Sequence, residues 1–316
     1  MFKKSLAWVI TAFLAVGLLA GCGTSNQNAA KNEANKSVQS AYPMTIKDDT
    51  QTDVTISAQP KRIVSLVPSS TETLFALGLE GKVVAVTKWD DYPVDVQKKV
   101  EYVFADSLNP NTEQILKLNP DLIILGALNA KTVETIRNLK IPVVVLKPEN
   151  LQSTYKSIET LGQLTGTADE AKKIVTEMQN KEKNIAQKVG QVKEADRLRV
   201  WTEVDANLFT PGDGTFLNEL ITKAGGTNIA SDVKGWAQYN SEKVIAKNPQ
   251  VIFETYSYYD KDAKKNILAR QGWQSLDAVK NQRVVELNSN LVTRPGPRIV
   301  DGLESIAKAL YPDLFK

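Results

Sequence analysis

Histidine is absent from this 316-residue chain, and cysteine occurs once, as Cys22. Without histidine the chain has no ligand for a His-held zinc ion or haem, and no base for a Ser-His-Asp triad. A lone cysteine can form neither a disulfide within the chain nor a cysteine cluster around a metal. The usual equipment of many hydrolytic and redox enzymes is therefore excluded, and we expect no resident cofactor and no bound metal.

A strong net charge is also lacking, because 39 Lys and Arg residues stand against 36 Asp and Glu residues. A chain this close to neutral has no general electrostatic attraction for nucleic acid, which we do not expect as a partner. The content of hydrophobic residues, 42%, is enough for real cores. At about 100–200 residues per domain, the length predicts about two globular domains.

Long apolar runs are confined to the N-terminus, where Lys3 and Lys4 precede an uncharged stretch from Leu6 to Ala20. A basic start followed by a short apolar stretch indicates an export signal. A plain secretory signal or a short membrane anchor is the simpler interpretation. The sequence Leu19-Ala20-Gly21-Cys22, however, resembles the bacterial lipoprotein processing box, in which the cysteine is lipidated and becomes the first residue. Because the single cysteine falls at this position, we expect Cys22 to carry the acyl chains that anchor the protein.

Five segments follow from the composition along the chain. The residues after Cys22 are mostly Asn, Gln, Ala, Ser, Lys and Thr, which bury too little apolar surface to offset the entropy of ordering. We predict a signal peptide (1–21), a lipidated flexible tether (22–41), an N-terminal α/β lobe (42–164), a connecting helix (165–193) and a C-terminal α/β lobe (194–316).

Short β-rich runs alternate with helical stretches in both lobes, which is typical of parallel βα units. The runs are Arg62–Leu66, Lys82–Thr87, Leu122–Leu125, Val143–Leu146, Arg199–Val204 and Val251–Glu254. Between the lobes the pattern predicts one long helix that starts with a capping box at Thr167–Glu170 and runs to about Val189.

An internal repeat relates the two lobes. Residues 111–124 and 240–253 match along most of their length, and each predicts a hydroxyl N-cap, a short helix, an Asn-Pro stop and a buried strand. A second pair begins at Pro68 and Pro211, each followed by leucines at the same spacing. Two copies of this length indicate two similar α/β lobes with parallel sheets, joined by the long helix.

This arrangement resembles the helical-backbone class of periplasmic binding proteins, which serve ABC importers of ferric siderophores, haem and cobalamin. It is most similar to the cobalamin-binding branch, and the resemblance covers essentially the whole mature chain. The more specific segments are Pro60–Val64, Asn119–Ile123, Phe216–Leu220 and Arg294–Arg298. The resemblance implies a ligand cleft between the lobes and a stiff helix that limits closure.

Loops at the carboxyl ends of strands are the expected ligand contacts in parallel α/β lobes. Pro68 and Ser69 lie in such a loop before a helix N-terminus, although an ordinary βα connection explains them equally well. Trp89 and Tyr92 lie in an Asp- and Pro-rich turn. The resemblance places both rings around the cleft, and core packing is the alternative.

Aromatic residues of the second lobe complete the expected site. Trp236 aligns with a ligand-contacting aromatic residue of the cobalamin branch, and Tyr256 and Tyr258 follow a predicted strand. Aromatic walls suit a large flat ligand such as a corrin, because each ring offers wide apolar area with few torsions to freeze. Some tyrosines of this cluster are expected to be plain surface.

Two arginines, Arg294 and Arg298, flank a Pro-Gly-Pro turn. A guanidinium can fork onto two oxygens of a ligand amide, a phosphate or an anionic siderophore. The alternative is that the pair orders the turn or holds a carboxylate within the protein.

Glu113 and Glu242 occupy the same place in the two repeats, just after the predicted N-caps. Stabilisation of the helix dipole, worth about 0.3–1 kcal/mol, would explain either one alone. In the family that the chain resembles, one glutamate on each lobe pairs with arginines of the permease dimer, and both positions match here.

The sequence thus favours a lipid-anchored solute-binding protein on the extracytoplasmic face of the cell membrane. We expect a monomer that captures cobalamin or a related corrinoid and delivers it to an ABC permease dimer with its ATPase subunits. The alternatives are a ferric-siderophore-binding lipoprotein, an enzyme on the same two-lobed fold, and an adhesin or assembly lipoprotein with a large exposed apolar patch.

Overall fold

The computed structural model describes residues 42–127 and 130–316. The predicted signal peptide, Cys22 and the tether lie outside the described residues. Within the described ranges, no helix combines the length and the apolar character needed to cross a membrane.

The first lobe is built on a five-stranded parallel sheet with the order β5-β4-β3-β6-β7. An antiparallel hairpin, β1-β2, precedes this sheet in the chain. The strands are β1 (Met44–Lys47), β2 (Asp53–Ile56), β3 (Ile63–Ser65), β4 (Val83–Thr87), β5 (Tyr102–Phe104), β6 (Leu122–Leu125) and β7 (Val143–Val145), and the helices are α1 (Pro68–Ala76), α2 (Thr112–Lys117) and α3 (Ala130–Arg137).

Two helices then lead from the first lobe to the second, α4 (Leu151–Thr165) and α5 (Ala168–Val189). The second lobe contains a four-stranded parallel sheet with the order β10-β8-β12-β13 and an antiparallel ribbon, β9-β11. Its strands are β8 (Arg199–Glu203), β9 (Phe209–Pro211), β10 (Thr227–Asn228), β11 (Trp236–Gln238), β12 (Val251–Glu254) and β13 (Val284–Glu286), and its helices are α6 (Phe216–Lys223), α7 (Ser241–Lys247), α8 (Ala263–Ala269), α9 (Asp277–Lys280), α10 (Ser289–Thr293) and α11 (Ile299–Leu310).

These elements confirm the predicted fold class, two α/β lobes with parallel sheets. All residues of β4, β6 and β12 are buried, as expected for parallel strands with helices on both faces. The sequence pattern did not indicate the β1-β2 hairpin, β5, β10, β11 or β13, because strands of two to four residues resemble ordinary loop sequence.

The long helix α5 has 22 residues, which at 1.5 Å per residue makes it about 33 Å long. It is not an isolated rod, because its apolar side chains join a core cluster that contains residues of both lobes. Lys181 on its surface pairs with Asp301 at 2.6 Å and Glu304 at 2.7 Å, both on α11. Packing along its length, and not helix propensity alone, makes the connection stiff.

The predicted capping box at the start of α5 is wrong. Thr167 occupies the N-cap position, but its side chain makes no capping hydrogen bond. Its hydroxyl lies 2.9 Å from the hydroxyl of Thr165 at the end of α4. The Thr167 hydroxyl, which would cap an isolated helix, therefore bonds to Thr165 within the tight turn between α4 and α5.

The N-caps of the repeated helices α2 and α7 lie one residue earlier in the chain than predicted. The N-caps are Asn111, which accepts from the N–H of Gln114, and Asn240, which accepts from two N–H groups, so the predicted hydroxyl caps are wrong. Both helices end as predicted at Asn-Pro, where Asn119 and Asn248 adopt left-handed φ values of 46° and 43°. Asparagine tolerates this conformation, and a following proline disfavours continued helix.

The second repeated pair differs between the lobes. Pro68 is the first residue of α1, whereas Pro211 ends β9 and the helix α6 begins only at Phe216. The strand of the second copy therefore belongs to the antiparallel ribbon and not to the parallel sheet.

Candidate functional site

A cleft with a volume of about 1080 Å³ lies between the two lobes. Four of its lining residues directly follow the last residues of β4, β8, β12 and β13. The cleft therefore opens at the carboxyl edges of both parallel sheets, as expected for this class of fold. It is lined by Lys88, Trp89, Asp91, Val204, Phe209, Trp236, Thr255, Ser257, Tyr258, Lys261, Glu286, Leu287, Asn288, Ser289, Asn290, Thr293 and Arg294.

Trp89 and Trp236 face this cleft from opposite lobes. Their side chains are 55% and 46% exposed, which is unusual for tryptophan and leaves both rings available for contact. Trp89 follows β4, and its backbone N–H donates to the hydroxyl of Thr87 at 3.2 Å. Trp236 begins β11 and is held opposite Pro211 in the antiparallel ribbon. Core packing, the alternative for Trp89, does not occur.

The tyrosines that follow β12 divide into two environments. Tyr258 is 65% exposed and lines the cleft, whereas Tyr256 is 1% exposed and donates through its hydroxyl to Glu203 Oε2 at 3.2 Å. Burial, together with the negative charge of Glu203, raises the pKa of the Tyr256 hydroxyl, which stays protonated. Of these two tyrosines, only Tyr258 is therefore available to a ligand in the cleft.

The predicted loop residues Pro68 and Ser69 are not among the residues that line the cleft. Pro68 is half-buried and Ser69 is buried at the start of α1. The turn at Gly296 packs against this point so closely that an added Cβ would lie 3.1 Å from the Ser69 carbonyl oxygen. A segment from the far end of the chain therefore covers the helix N-terminus.

Arg298 and Tyr92 form a stacked pair beside the cleft. The guanidinium carbon lies 3.8 Å from the centre of the Tyr92 ring, and neither residue lines the cavity. Arg298 also donates two hydrogen bonds to Glu72, at 2.8 and 2.6 Å. These bonds raise the pKa of Arg298, and burial opposes the shift. Its guanidinium is engaged within the protein.

Arg294 lines the cleft but is also held by protein carboxylates. Its Nη1 lies 2.5 Å from Asp91 Oδ1 and 3.3 Å from Glu72 Oε1, and its Nη2 donates to the Trp89 carbonyl oxygen at 2.9 Å. Glu72 is buried on α1, with a side chain that is 2% exposed. Glu72, Asp91, Arg294 and Arg298 thus form one cluster, in which two positive side chains are paired with two negative ones.

A row of glutamates at the carboxyl edge of the second sheet was not predicted from the sequence. Glu203, Glu254 and Glu286 end β8, β12 and β13, and the strand register places them side by side. The signal was present, because each apolar strand closes on the same acidic residue. The three side chains have different surroundings, since Glu203 and Glu254 are fully buried and Glu286 is exposed.

Glu203 is the centre of a buried hydrogen-bond network. Arg270 donates to both of its carboxylate oxygens, and the Trp201 indole N–H donates to Oε1 at 2.9 Å. Arg270 also lies 4.2 Å above the centre of the Trp273 ring. The network fixes the end of β8 directly before Val204, which lines the cleft.

Glu254 organises the turn that carries the cleft residues after β12. It accepts from the N–H groups of Tyr256 and Ser257, both at 3.1 Å, and from the Ser257 hydroxyl at 2.6 Å. These bonds satisfy a carboxylate that would be costly to bury alone. The turn is therefore held in place where Ser257 and Tyr258 line the cleft.

Glu113 and Glu242 both lie in the first turn of their helices and are exposed. Neither forms an ion pair with another residue in the described part of the chain. Because α2 follows β5 and precedes β6, its N-terminus lies at the carboxyl edge of the first sheet. Because α7 precedes β12 of the second parallel sheet, its start lies at the corresponding edge, so each lobe presents one exposed carboxylate at a helix start on that side.

No group of three or more Cys, Asp or Glu side chains within 42–127 and 130–316 is arranged to hold a metal ion. The row of glutamates does not form such a group, because Glu203 and Glu254 are occupied by donors from the protein. The cleft can bind through aromatic faces, hydroxyls and a few charges.

Three known proteins illustrate what the chain is similar to. An uncharacterized ABC transporter substrate-binding lipoprotein, YvrC, of Bacillus subtilis is 36% identical over 323 residues, covering 100% of both chains. A vitamin B12-binding protein of Pectobacterium carotovorum is 31% identical over 80% of this chain and 89% of that protein. A solved structure described as a possible iron-binding (periplasmic solute-binding) protein of Staphylococcus epidermidis has a TM-score of 0.70 and 32% identity, and covers 80% of this chain and 99% of that one.

The family model described as periplasmic binding protein matches residues 63–291, which include both parallel sheets and most of the cleft lining. The two lobes, the helix between them and the cleft at the carboxyl edges agree with that match. The chain belongs to the periplasmic binding protein family.

Proposed function

We propose that this protein is the lipid-anchored solute-binding component of an ABC importer and that it captures cobalamin or a related corrinoid. The observation that carries the ligand class is the cleft of about 1080 Å³ with Trp89 and Trp236 on opposite walls. A corrin offers two wide faces, and aromatic rings cover such faces with little loss of conformational freedom. Affinity then comes from preorganised walls and a few polar contacts, without covalent chemistry.

The charges of the cleft favour a ligand with little net charge. Arg294 is engaged by Asp91 and Glu72, which leaves Lys88, Lys261 and Glu286 as the other charged side chains of the lining. Lys88 itself lies 5.0 Å from the centre of the Trp89 ring. An anionic ferric siderophore would find few uncompensated cations here, whereas the amides of a corrinoid need only hydrogen-bonding groups.

The relatives support the transport role and keep one alternative open. The names of the Bacillus and Pectobacterium proteins support an ABC transporter lipoprotein and a vitamin B12 ligand, respectively. The Staphylococcus structure is described as a possible iron-binding protein, which supports an iron-containing ligand and so keeps the ferric-siderophore alternative open. We place the protein at the extracytoplasmic face of the cell membrane, as a monomer that delivers ligand to a permease dimer and its ATPase subunits. No observation on the cleft favours an enzyme.

Titration of cyanocobalamin into the lipid-free protein, starting at residue 23, is the test of the ligand. We expect saturable quenching of tryptophan fluorescence, because Trp89 and Trp236 would contact the corrin. Trp236→Ala should weaken binding by more than about 1 kcal/mol, the scale of a buried aromatic contact. Leu116→Ala, which removes an exposed apolar side chain of α2 outside the cleft lining, is the matched control and should bind as the wild type does.

Two outcomes would count against the corrinoid. One is unchanged affinity in both Trp89→Ala and Trp236→Ala, which would show that neither indole ring contacts the ligand. The other is mass spectrometry that finds a ferric siderophore, and no corrinoid, retained from a mixture of both.

Replacement of Cys22 by alanine should release the protein from the membrane or block its processing, because acylation of this residue is the proposed anchor. Membrane fractionation of cells that express Cys22→Ala is the measurement, with Ser25→Ala in the same segment as the control. A Cys22→Ala protein that is processed and still sediments with membranes would show that another part of the chain anchors it.

A further inference from the structure

The loop that carries Trp89 is held by the opposite lobe. Asp91, two residues after Trp89, accepts a hydrogen bond from Asn290 Nδ2 at 2.7 Å and one from Arg294 Nη1 at 2.5 Å. Arg294 also holds the carbonyl oxygen of Trp89 itself. Asn290 lies on α10 and Arg294 directly follows it, so both donors come from the segment after the last strand of the second sheet.

These contacts lie within the cleft, because Trp89, Asp91, Asn290 and Arg294 are all lining residues. The buried Glu72 pairs with the guanidinium of Arg294 and holds it in place. The side chain of Arg294 is only 15% exposed. A bond from a fixed guanidinium to a carboxylate is stronger and more directional than one between two mobile surface groups. The contacts therefore form an ordered bridge, although the Asp91 side chain itself is 53% exposed.

We propose that Asp91 is a positioning residue for ligand binding, and that its bridge to Asn290 and Arg294 sets the orientation of Trp89 and the spacing of the lobes before ligand arrives. A bridge between protein groups reduces the ordering that the ligand would otherwise have to impose, and so increases affinity. It also assigns Arg294 to the protein in place of the ligand. The effect on cobalamin affinity rests on the proposed function, but the effect on Trp89 does not.

The first experiment needs no ligand. The chain from residue 23 contains four tryptophans, Trp89, Trp201, Trp236 and Trp273, and 5-fluorotryptophan labelling gives each a ¹⁹F signal that Trp→Phe variants assign. Asp91→Ala should shift the Trp89 signal and leave those of the buried Trp201 and Trp273 in place. Asn290→Ala, in the other lobe, should move the Trp89 signal in the same direction. An unchanged Trp89 signal in both variants would overturn the proposal.

The second experiment measures the dissociation constant for cyanocobalamin. We expect Asp91→Ala to bind at least about tenfold more weakly, and Asp91→Asn to lie between it and the wild type because the amide keeps one acceptor oxygen. Glu134→Gln is the control, since it removes one negative charge from an exposed position of α3 outside the cleft lining and breaks no side-chain hydrogen bond or ion pair between described residues. Its affinity should stay within about twofold of the wild type, the size of a rim-charge effect.

Equal losses in Asp91→Ala and Asp91→Asn would mean that the charge of Asp91 matters and its hydrogen bonds do not, which would overturn the positioning role. A wild-type protein that binds no cyanocobalamin would instead contradict the proposed ligand. In that case the ¹⁹F signals of the ligand-free variants still decide whether Asp91 positions Trp89.

Discussion

Ligand uptake should be lost when Glu113 and Glu242 are both reversed to lysine, while ligand binding by the purified protein stays unchanged. Each carboxylate is exposed at the start of a repeated helix and forms no ion pair with a described residue. One carboxylate on each of two similar lobes matches a partner with two-fold symmetry. Reversal would set lysine against the basic residues that we propose on the permease, and like charges at an interface cost several kcal/mol.

The stability of the double variant separates docking from a role in the helix. Stabilisation of the helix dipole accounts for only about 0.3–1 kcal/mol at each site, so the melting temperature should fall slightly. Glu159→Lys with Glu177→Lys is the control, because it makes the same charge change at exposed positions of α4 and α5. Normal uptake by the Glu113→Lys/Glu242→Lys variant at normal expression would leave both glutamates with a purely local role in their helices.

Replacement of Glu203 by alanine should lower the free energy of unfolding by about 3 kcal/mol or more. Removal of one partner from a buried ion pair leaves the other charge uncompensated, which typically costs about 3–5 kcal/mol. Here Arg270 would lose its carboxylate, and the Trp201 indole N–H and the Tyr256 hydroxyl would lose their acceptor. Because Arg270 is 21% exposed and can recruit water, the lower end of that range is the better expectation.

Urea denaturation of Glu203→Ala, followed by circular dichroism, is the measurement. Glu286→Ala is the control, because Glu286 ends a strand of the same sheet and is exposed, so its loss should change stability by no more than about 0.5 kcal/mol. A loss below about 1 kcal/mol in Glu203→Ala would show that water replaces the carboxylate and that the network contributes little.

Local pattern was enough to predict most of the parallel strands. Runs such as Leu122–Leu125 and Val251–Glu254 appear in the structure with the predicted bounds, because an apolar run between turn residues has few alternatives to a buried strand. The Asn-Pro stops were predictable for the same reason, since their effect lies within two residues. Capping was less predictable, as Thr167 and Asn111 show, because several neighbouring polar groups can reach the same N–H donors.

The site was predictable where a residue type is out of place in its surroundings. A tryptophan in a polar turn after a strand has little core to enter, and Trp89 indeed lines the cleft. Tyr256 and Tyr258 could not be told apart, because both follow the same strand and only the fold decides which ring is covered. The glutamates that end β8 and β12 were visible in the sequence as acidic ends of apolar strands. The partner of Glu203, however, is Arg270, which lies 67 positions away and which only the structure brings to it.

The sequence by itself determined the two α/β lobes, the helix between them and the strand ends that line the cleft. These features depend on apolar periodicity and on turn residues, which act over a few positions. Only the tertiary structure decided that Arg294 and Arg298 are held by Glu72 and Asp91, more than 200 positions away. A guanidinium binds any carboxylate that the fold brings within reach, so its partner is a property of the packed lobes and not of the neighbouring residues.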